Sequence, residues 1–140
     1  MENHMSIRVK AIPENESLAR STIAAFCLSS DPTVDAVNDV RTAVSEAVTN
    51  SIVHGYDGKE GDVLIEAQLT GDVLALEIVD YGVGIADVEM AMGDFFTTKE
   101  EEERSGLGFT IMRTFMDELS VESKIGVGTT VRMKKRLRNA

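Results

Sequence analysis

Glu46, Asn50 and His54 recur every four residues. On a helix they would lie along one side, drifting by about 40° per step because four residues slightly exceed a turn. The triplet also fits a wetted helix surface, and His54 fits a helix C-terminus facing the dipole. A second group, Asp80-Tyr81-Gly82-Val83-Gly84-Ile85, follows an apolar run. Its glycines let backbone approach a ligand and take positive φ, as they would in an ordinary turn. Its acid, at the end of a buried strand, needs a partner. An exocyclic amino group of adenine would serve. The third group is Arg104-Ser105-Gly106-Leu107-Gly108-Phe109. Free amides at a helix start, bared by glycine, form an anion site. Each glycine inside a helix costs up to about 1 kcal/mol against alanine, which suggests that the bare backbone is needed. No Gly-Lys-Ser/Thr follows, so this is not a Walker A loop.

The elements that must hold these groups can be read from periodicity. Ile7, Val9 and Ala11 alternate with Arg8 and Lys10, predicting a half-buried strand. Pro13 and a polar stretch introduce a helix to about Leu28, stopped by Asp31-Pro32. Thr33 is the expected N-cap of a longer helix with Val37, Val40, Val44, Ala47, Val48 and Ser51 as its buried stripe. Gly55 is expected to end it in a left-handed conformation. Val63, Ile65, Ala67 and Leu69 alternate in a strand, Gly71-Asp72 forms a hairpin turn, and residues 73–79 read as a central strand covered on both faces. A short helix over Val88–Met92, a third long helix over about residues 106–119, and strands over 121–123 and 129–134 complete the chain. The expected class is α+β, a two-layer sandwich with helices on one face of a mixed, mostly antiparallel sheet.

The 140 residues suit one domain, spanning 1–140, with a single core. Twenty-four acidic against fourteen basic residues give a formal charge of −10, a field that repels a phosphate backbone and argues against direct nucleic-acid binding. Lys134, Lys135, Arg136 and Arg138 crowd the end of the chain, as a contact for an acidic partner or as a solvated end. No apolar stretch is long enough for a membrane span, and the first residues lack signal-peptide features. With the lone Cys27 read as core, a cytoplasmic protein is expected.

Glu-x-x-x-Asn on a helix, Asp-x-Gly-x-Gly after a strand, Gly-x-Gly opening a helix and Gly-x-Gly-Thr-Thr before a last strand together resemble the GHKL superfamily over about residues 33–133. A narrower set of stretches is similar to the anti-sigma F factors, serine kinases of spore-forming bacteria. It comprises Pro13 to Arg20, Val44 to Tyr56, Phe96-Thr97-Thr98-Lys99, Arg104 to Met112 and Phe115-Met116-Asp117-Glu118.

The resemblance implies a Bergerat-type fold, ATP and Mg²⁺ as cofactors, and the following roles. Asn50 would hold Mg²⁺ against the phosphates, a task suited to a hard neutral amide oxygen. Glu46 would act as general base toward a serine hydroxyl. Asp80 would read adenine, with Gly82 and Gly84 giving room and Thr130 supporting Asp80. Residues 95–105 would form a lid in which Lys99 and Arg104 contact phosphates, unless they only balance Glu100, Glu101, Glu102 and Glu103. Ser105, Gly106, Leu107, Gly108 and Phe109 would complete the nucleotide site. Arg20 would bind a partner, or be a solvated arginine. The implied partners are a sigma factor and an anti-anti-sigma factor phosphorylated on serine, and the implied assembly is a homodimer pairing through residues 7–12. Three rivals are an ATP-dependent sequestering module without kinase activity, a histidine-kinase catalytic domain, and a gyrase- or Hsp90-like clamp. The histidine-kinase reading lacks an upstream phospho-accepting hairpin, and the clamp lacks a transducer domain.

Overall fold

Alternation near the N-terminus produces β1 (Glu2–Lys10), which starts earlier than expected. The fold comes from a computed structural model, which describes residues 1–92 and 107–138. After β1 come α1 (Glu14–Cys27), a 3₁₀ turn (Leu28–Ser30) and α2 (Val34–Asn50), which runs on as a π-helix (Ser51–Tyr56). Then follow β2 (Asp62–Thr70), β3 (Val73–Asp80), α3 (Val88–Met92), α4 (Leu107–Phe115), β4 (Glu118–Lys124) and β5 (Gly128–Arg136). Thr33 caps α2 as expected: its hydroxyl accepts from the Ala36 amide at 3.1 Å, a contact worth about 1 kcal/mol.

The strands lie in the order β1-β2-β3-β5-β4, so the mostly antiparallel sheet expected is found, and its four pairings among the described residues are all antiparallel. Gly71, at φ 61°, makes the β2–β3 turn. Ile7, Ile65, Ile78, Val131 and Val121 stand opposite one another across the sheet. On that face they join Val40, Val44 and Val48 of α2 and Phe109 and Met112 of α4 in the core. Fully burying one such side chain contributes about 1.5–3 kcal/mol. The next row, Glu66, Glu77, Arg132 and Ser120, occupies the face away from the helices. There Arg132 donates to Glu77 at 2.9 Å and to Glu122 at 2.7 Å.

Two further expectations need correction. β3 is central but covered by helices on one face: Leu74, Leu76 and Ile78 are buried, while Ala75, Glu77 and Val79 are half-buried on the other. The third long helix ends at Phe115 rather than near residue 119. Leu119 and Val121 alternate with Glu118, Ser120 and Glu122, a period of two that belongs to β4.

Candidate functional site

Where the end of β3 meets the π-helical turn, the start of α4 and β5, a cleft of about 200 Å³ opens. Its floor carries Asp80, only 4% exposed. Asp80 accepts a hydrogen bond from the Gly82 amide at 3.0 Å, and others from the Ser51 hydroxyl and the Thr129 amide. Burial pushes its carboxyl above the ordinary range, and these donors pull against that.

Bare backbone makes room for this carboxylate. A Cβ on Gly55 would lie 2.9 Å from Asp80 Cγ, and one on Gly82 would lie 2.0 Å from the Gly55 carbonyl oxygen. The Val83 amide donates to that same oxygen at 2.8 Å. Gly55 therefore serves close approach to Asp80, and the left-handed residues that end the helix are Asp57 (φ 50°) and Gly58 (φ 81°). Gly84 combines both needs: its φ is 79°, and a Cβ there would fall 2.3 Å from the Lys124 carbonyl oxygen. This docks the loop after β3 onto the β4–β5 turn, where the Gly126 amide donates to the Val83 carbonyl at 2.9 Å.

Asn50 closes α2 at the rim. Its side-chain nitrogen is buried and has no hydrogen-bond partner among the described residues. A Cβ on Gly108 would lie 3.0 Å from that nitrogen, so glycine at this point in α4 lets the helix start pack against the amide. One turn earlier is Glu46, half-buried, its carboxyl raised first by burial and second by the charge of Glu16. Glu46 borders a shallow depression with Arg20 and Ser45. Ser45 donates to Glu16 Oε1 at 2.7 Å, and Arg20 donates to the same oxygen at 3.2 Å. Glu16 Oε2 and Arg20 Nε are buried without partners among the described residues.

Of the residues singled out in the sequence for chemistry, Asn50, His54, Asp80, Gly84, Ile85 and Phe109 line the cleft together, as does Gly55. Gly82 and Gly108 shape it from behind. Glu46 sits beside it along α2, and Arg20 lies on α1 across from Glu46. Thr130 is not brought to the cleft. β5 places Thr129, Val131 and Met133 toward the helices, and Thr130 and Arg132 on the opposite face; the threonine beside Asp80 is Thr129. The parity of that strand, with Val131 and Met133 as its inward residues, is the signal that identifies it. The role of Ser51 as a donor to Asp80 and the close-approach role of Gly55 also escaped the sequence reading. Lys99, Arg104, Ser105 and Gly106 lie outside the described residues, as does the side chain of Leu107, which opens α4. No group of three or more His, Cys, Asp or Glu residues suited to a metal occurs among the described residues. An amide ligand such as Asn50 falls outside that set. A larger hollow of about 490 Å³ lies over Glu66, Glu77 and Arg132 and shares no lining residue with the cleft.

Residues 9–135 match the histidine kinase-like ATPase domain. An anti-sigma F factor from Thermoanaerobacter sp. (strain X514) is 52% identical over 133 residues, spanning 95% of this chain and 93% of the relative. The chain belongs to the anti-sigma F factor family. A second member, from Clostridium kluyveri (strain ATCC 8527), is 54% identical over 134 residues, 96% of this chain and 94% of its own. Among solved structures, the RsbU and RsbW domains of Rv1364c from Mycobacterium tuberculosis match with a TM-score of 0.70 at 19% identity, over 96% of this chain and 32% of that one. The catalytic domain of the histidine kinase ThkA matches with a TM-score of 0.60 at 13% identity, over 99% of each chain. These likenesses concern the fold: a GHKL-type α+β sandwich whose cleft lies between the sheet end and the helices. No described helix is long and apolar enough to cross a membrane.

Proposed function

We propose that this chain sequesters a sporulation sigma factor and uses Mg-ATP to phosphorylate a serine of its anti-anti-sigma antagonist. The observation that carries the kinase half is the placement of Glu46 and Asn50 one turn apart on α2, beside a cleft floored by a buried carboxylate. Asp80 accepts from an amino group at the purine edge, and guanine's carbonyl oxygen would meet repulsion there. Asn50, whose buried side-chain nitrogen has no partner among the described residues and has bare backbone against it, fits the phosphate end. Mg²⁺, held there by the Asn50 oxygen, would supply charge neutralisation. Gly108, near the start of α4, leaves amides available to anionic oxygens.

Glu46 accepts the proton of the substrate serine as its oxygen bonds to the γ-phosphorus. The bond from that phosphorus to the bridging oxygen breaks, and ADP departs. Burial and the Glu16 charge make Glu46 a better proton acceptor than an exposed glutamate. Arg20, half-buried and bound to Glu16 next to this base, is the residue of α1 that we assign to partner binding. Lys99, Arg104, Ser105, Gly106, Leu107 and Phe109 complete the nucleotide site as the lid and helix start. Phosphorylation adds charge at the contact and releases the antagonist. β1, one of the two edge strands, supports assembly as a homodimer by offering an edge that pairs with no other strand among the described residues. The test is incubation with Mg-ATP and an anti-anti-sigma protein, with the modified residue mapped by mass spectrometry. Phosphoserine supports the reading. ATP binding with no phosphoserine leaves a nucleotide-gated sequestering module.

A further inference from the structure

Ser123 lies near the end of β4, outside every motif that marks the cleft, and its hydroxyl meets three polar groups. The Ile85 amide donates to it at 2.7 Å, the Gly128 carbonyl oxygen lies at 3.0 Å, and the Thr129 hydroxyl oxygen lies at 2.7 Å. A serine hydroxyl has one hydrogen to give and two lone pairs to receive with. The Ile85 amide occupies one lone pair. The Gly128 carbonyl can only accept, so it takes the hydrogen. The second lone pair faces Thr129, whose hydroxyl must then be the donor. Turning the serine hydrogen toward Thr129 would leave the Gly128 contact unmade, so one assignment alone forms all three bonds.

Thr129 thus directs its hydrogen away from the cleft and keeps only lone pairs for a ligand. It is 8% exposed and lines the cleft beside Asp80. We propose that Ser123 is a positioning residue that orients the Thr129 hydroxyl, so that beside Asp80 the cleft wall presents lone pairs from both side chains and favours a purine bearing an amino group over one bearing a carbonyl at the same edge. This rests on the nucleotide reading above and names a residue that sets its specificity.

The test compares Mg-ATP with Mg-ITP, which carries a carbonyl in place of the amino group, by calorimetric titration of the full chain. Ser123→Ala frees the Thr129 hydrogen to turn into the cleft, and the ATP-to-ITP affinity ratio falls about three- to tenfold, the contribution of one neutral hydrogen bond. Ser123→Thr keeps the wild-type ratio. Thr129→Val removes the acceptor and also lowers the ratio, and adding Ser123→Ala in that background changes nothing further. Equal weakening of both nucleotides by Ser123→Ala overturns the proposal, because the serine would then only support the loop through Ile85. A ratio that rises in Thr129→Val overturns it as well, and that arm decides alone if Ser123→Ala does not fold. Wild-type protein that binds neither nucleotide overturns the nucleotide reading and this inference with it. ATP binding with ratios unchanged across the variants overturns only the role of Ser123.

Discussion

Asp80 and Glu46 are both carboxylates whose ionisation is opposed by burial, and they differ in what else surrounds them. Asp80 is held by the Gly82 amide, the Ser51 hydroxyl and the Thr129 amide, and two glycines keep the space around it clear. Glu46 faces a like charge from Glu16, in a seam where Glu16 Oε2 and Arg20 Nε have no partners among the described residues. In the proposed function the first arrangement suits a carboxylate that recognises a ligand, and the second suits one that takes up a proton. Two acids on one fold would thereby be given different tasks by their neighbours, the logic that separates paired carboxylates in many active sites.

Substitutions can break this contrast. Asp80→Asn, which removes the charged acceptor and presents a donor to the purine edge, should weaken ATP binding by about 100-fold in calorimetric titration, since bonds to charged groups contribute about 1.5–3 kcal/mol. An affinity within threefold of wild type would mean that Asp80 is a structural acid only. Gly82→Ala should lower stability by about 1–3 kcal/mol in urea denaturation, because its Cβ meets backbone rather than a flexible side chain. Unchanged stability would show that the loop after β3 does not need its contact with Gly55.

The seam can be sharpened by pH. Glu46 must be ionised to accept a proton, and both burial and Glu16 oppose ionisation, so the transfer rate should fall as pH drops through a value above the ordinary glutamate range of about 4.3. Glu16→Gln removes the like charge and should move that limb to lower pH; a limb that stays put would remove Glu16 from the account. The smallest effect belongs to Arg20→Ala. Its ion pair with Glu16 is partly solvated, with side-chain exposures of 37% and 21%, so less than about 1 kcal/mol of stability should be lost. ATP affinity should hold while sigma-factor capture in a pull-down declines. Loss of ATP affinity would tie Arg20 to the cleft instead.

Helices were the most legible part of the sequence, because the valine stripe and Thr33 cap of α2 agree with each other. The last turn of the α4 expectation, past Phe115, failed because Leu119 can be read with either a period of two or of 3.6, and pairing with β5 decides it. The recognition wall was legible at Asp80 and its glycine loop. Thr129 was missed by one position, since adjacent threonines are chemically alike and only strand parity separates them. Ser51, named in the sequence only as a buried helix residue, and Ser123, which lies in no motif, owe their roles to contacts between elements distant in sequence. Gly55 was singled out for the wrong physical reason, a left-handed turn in place of a close approach.

The most direct test of the central claim is single-turnover phosphotransfer to the anti-anti-sigma protein by wild type and Glu46→Gln, with ATP affinity measured in parallel. A 10²–10⁴-fold slower transfer with ATP binding intact, roughly the range for a lost general base, is the predicted result. Transfer at the wild-type rate would contradict the account, since Glu46 would then be a bystander on α2.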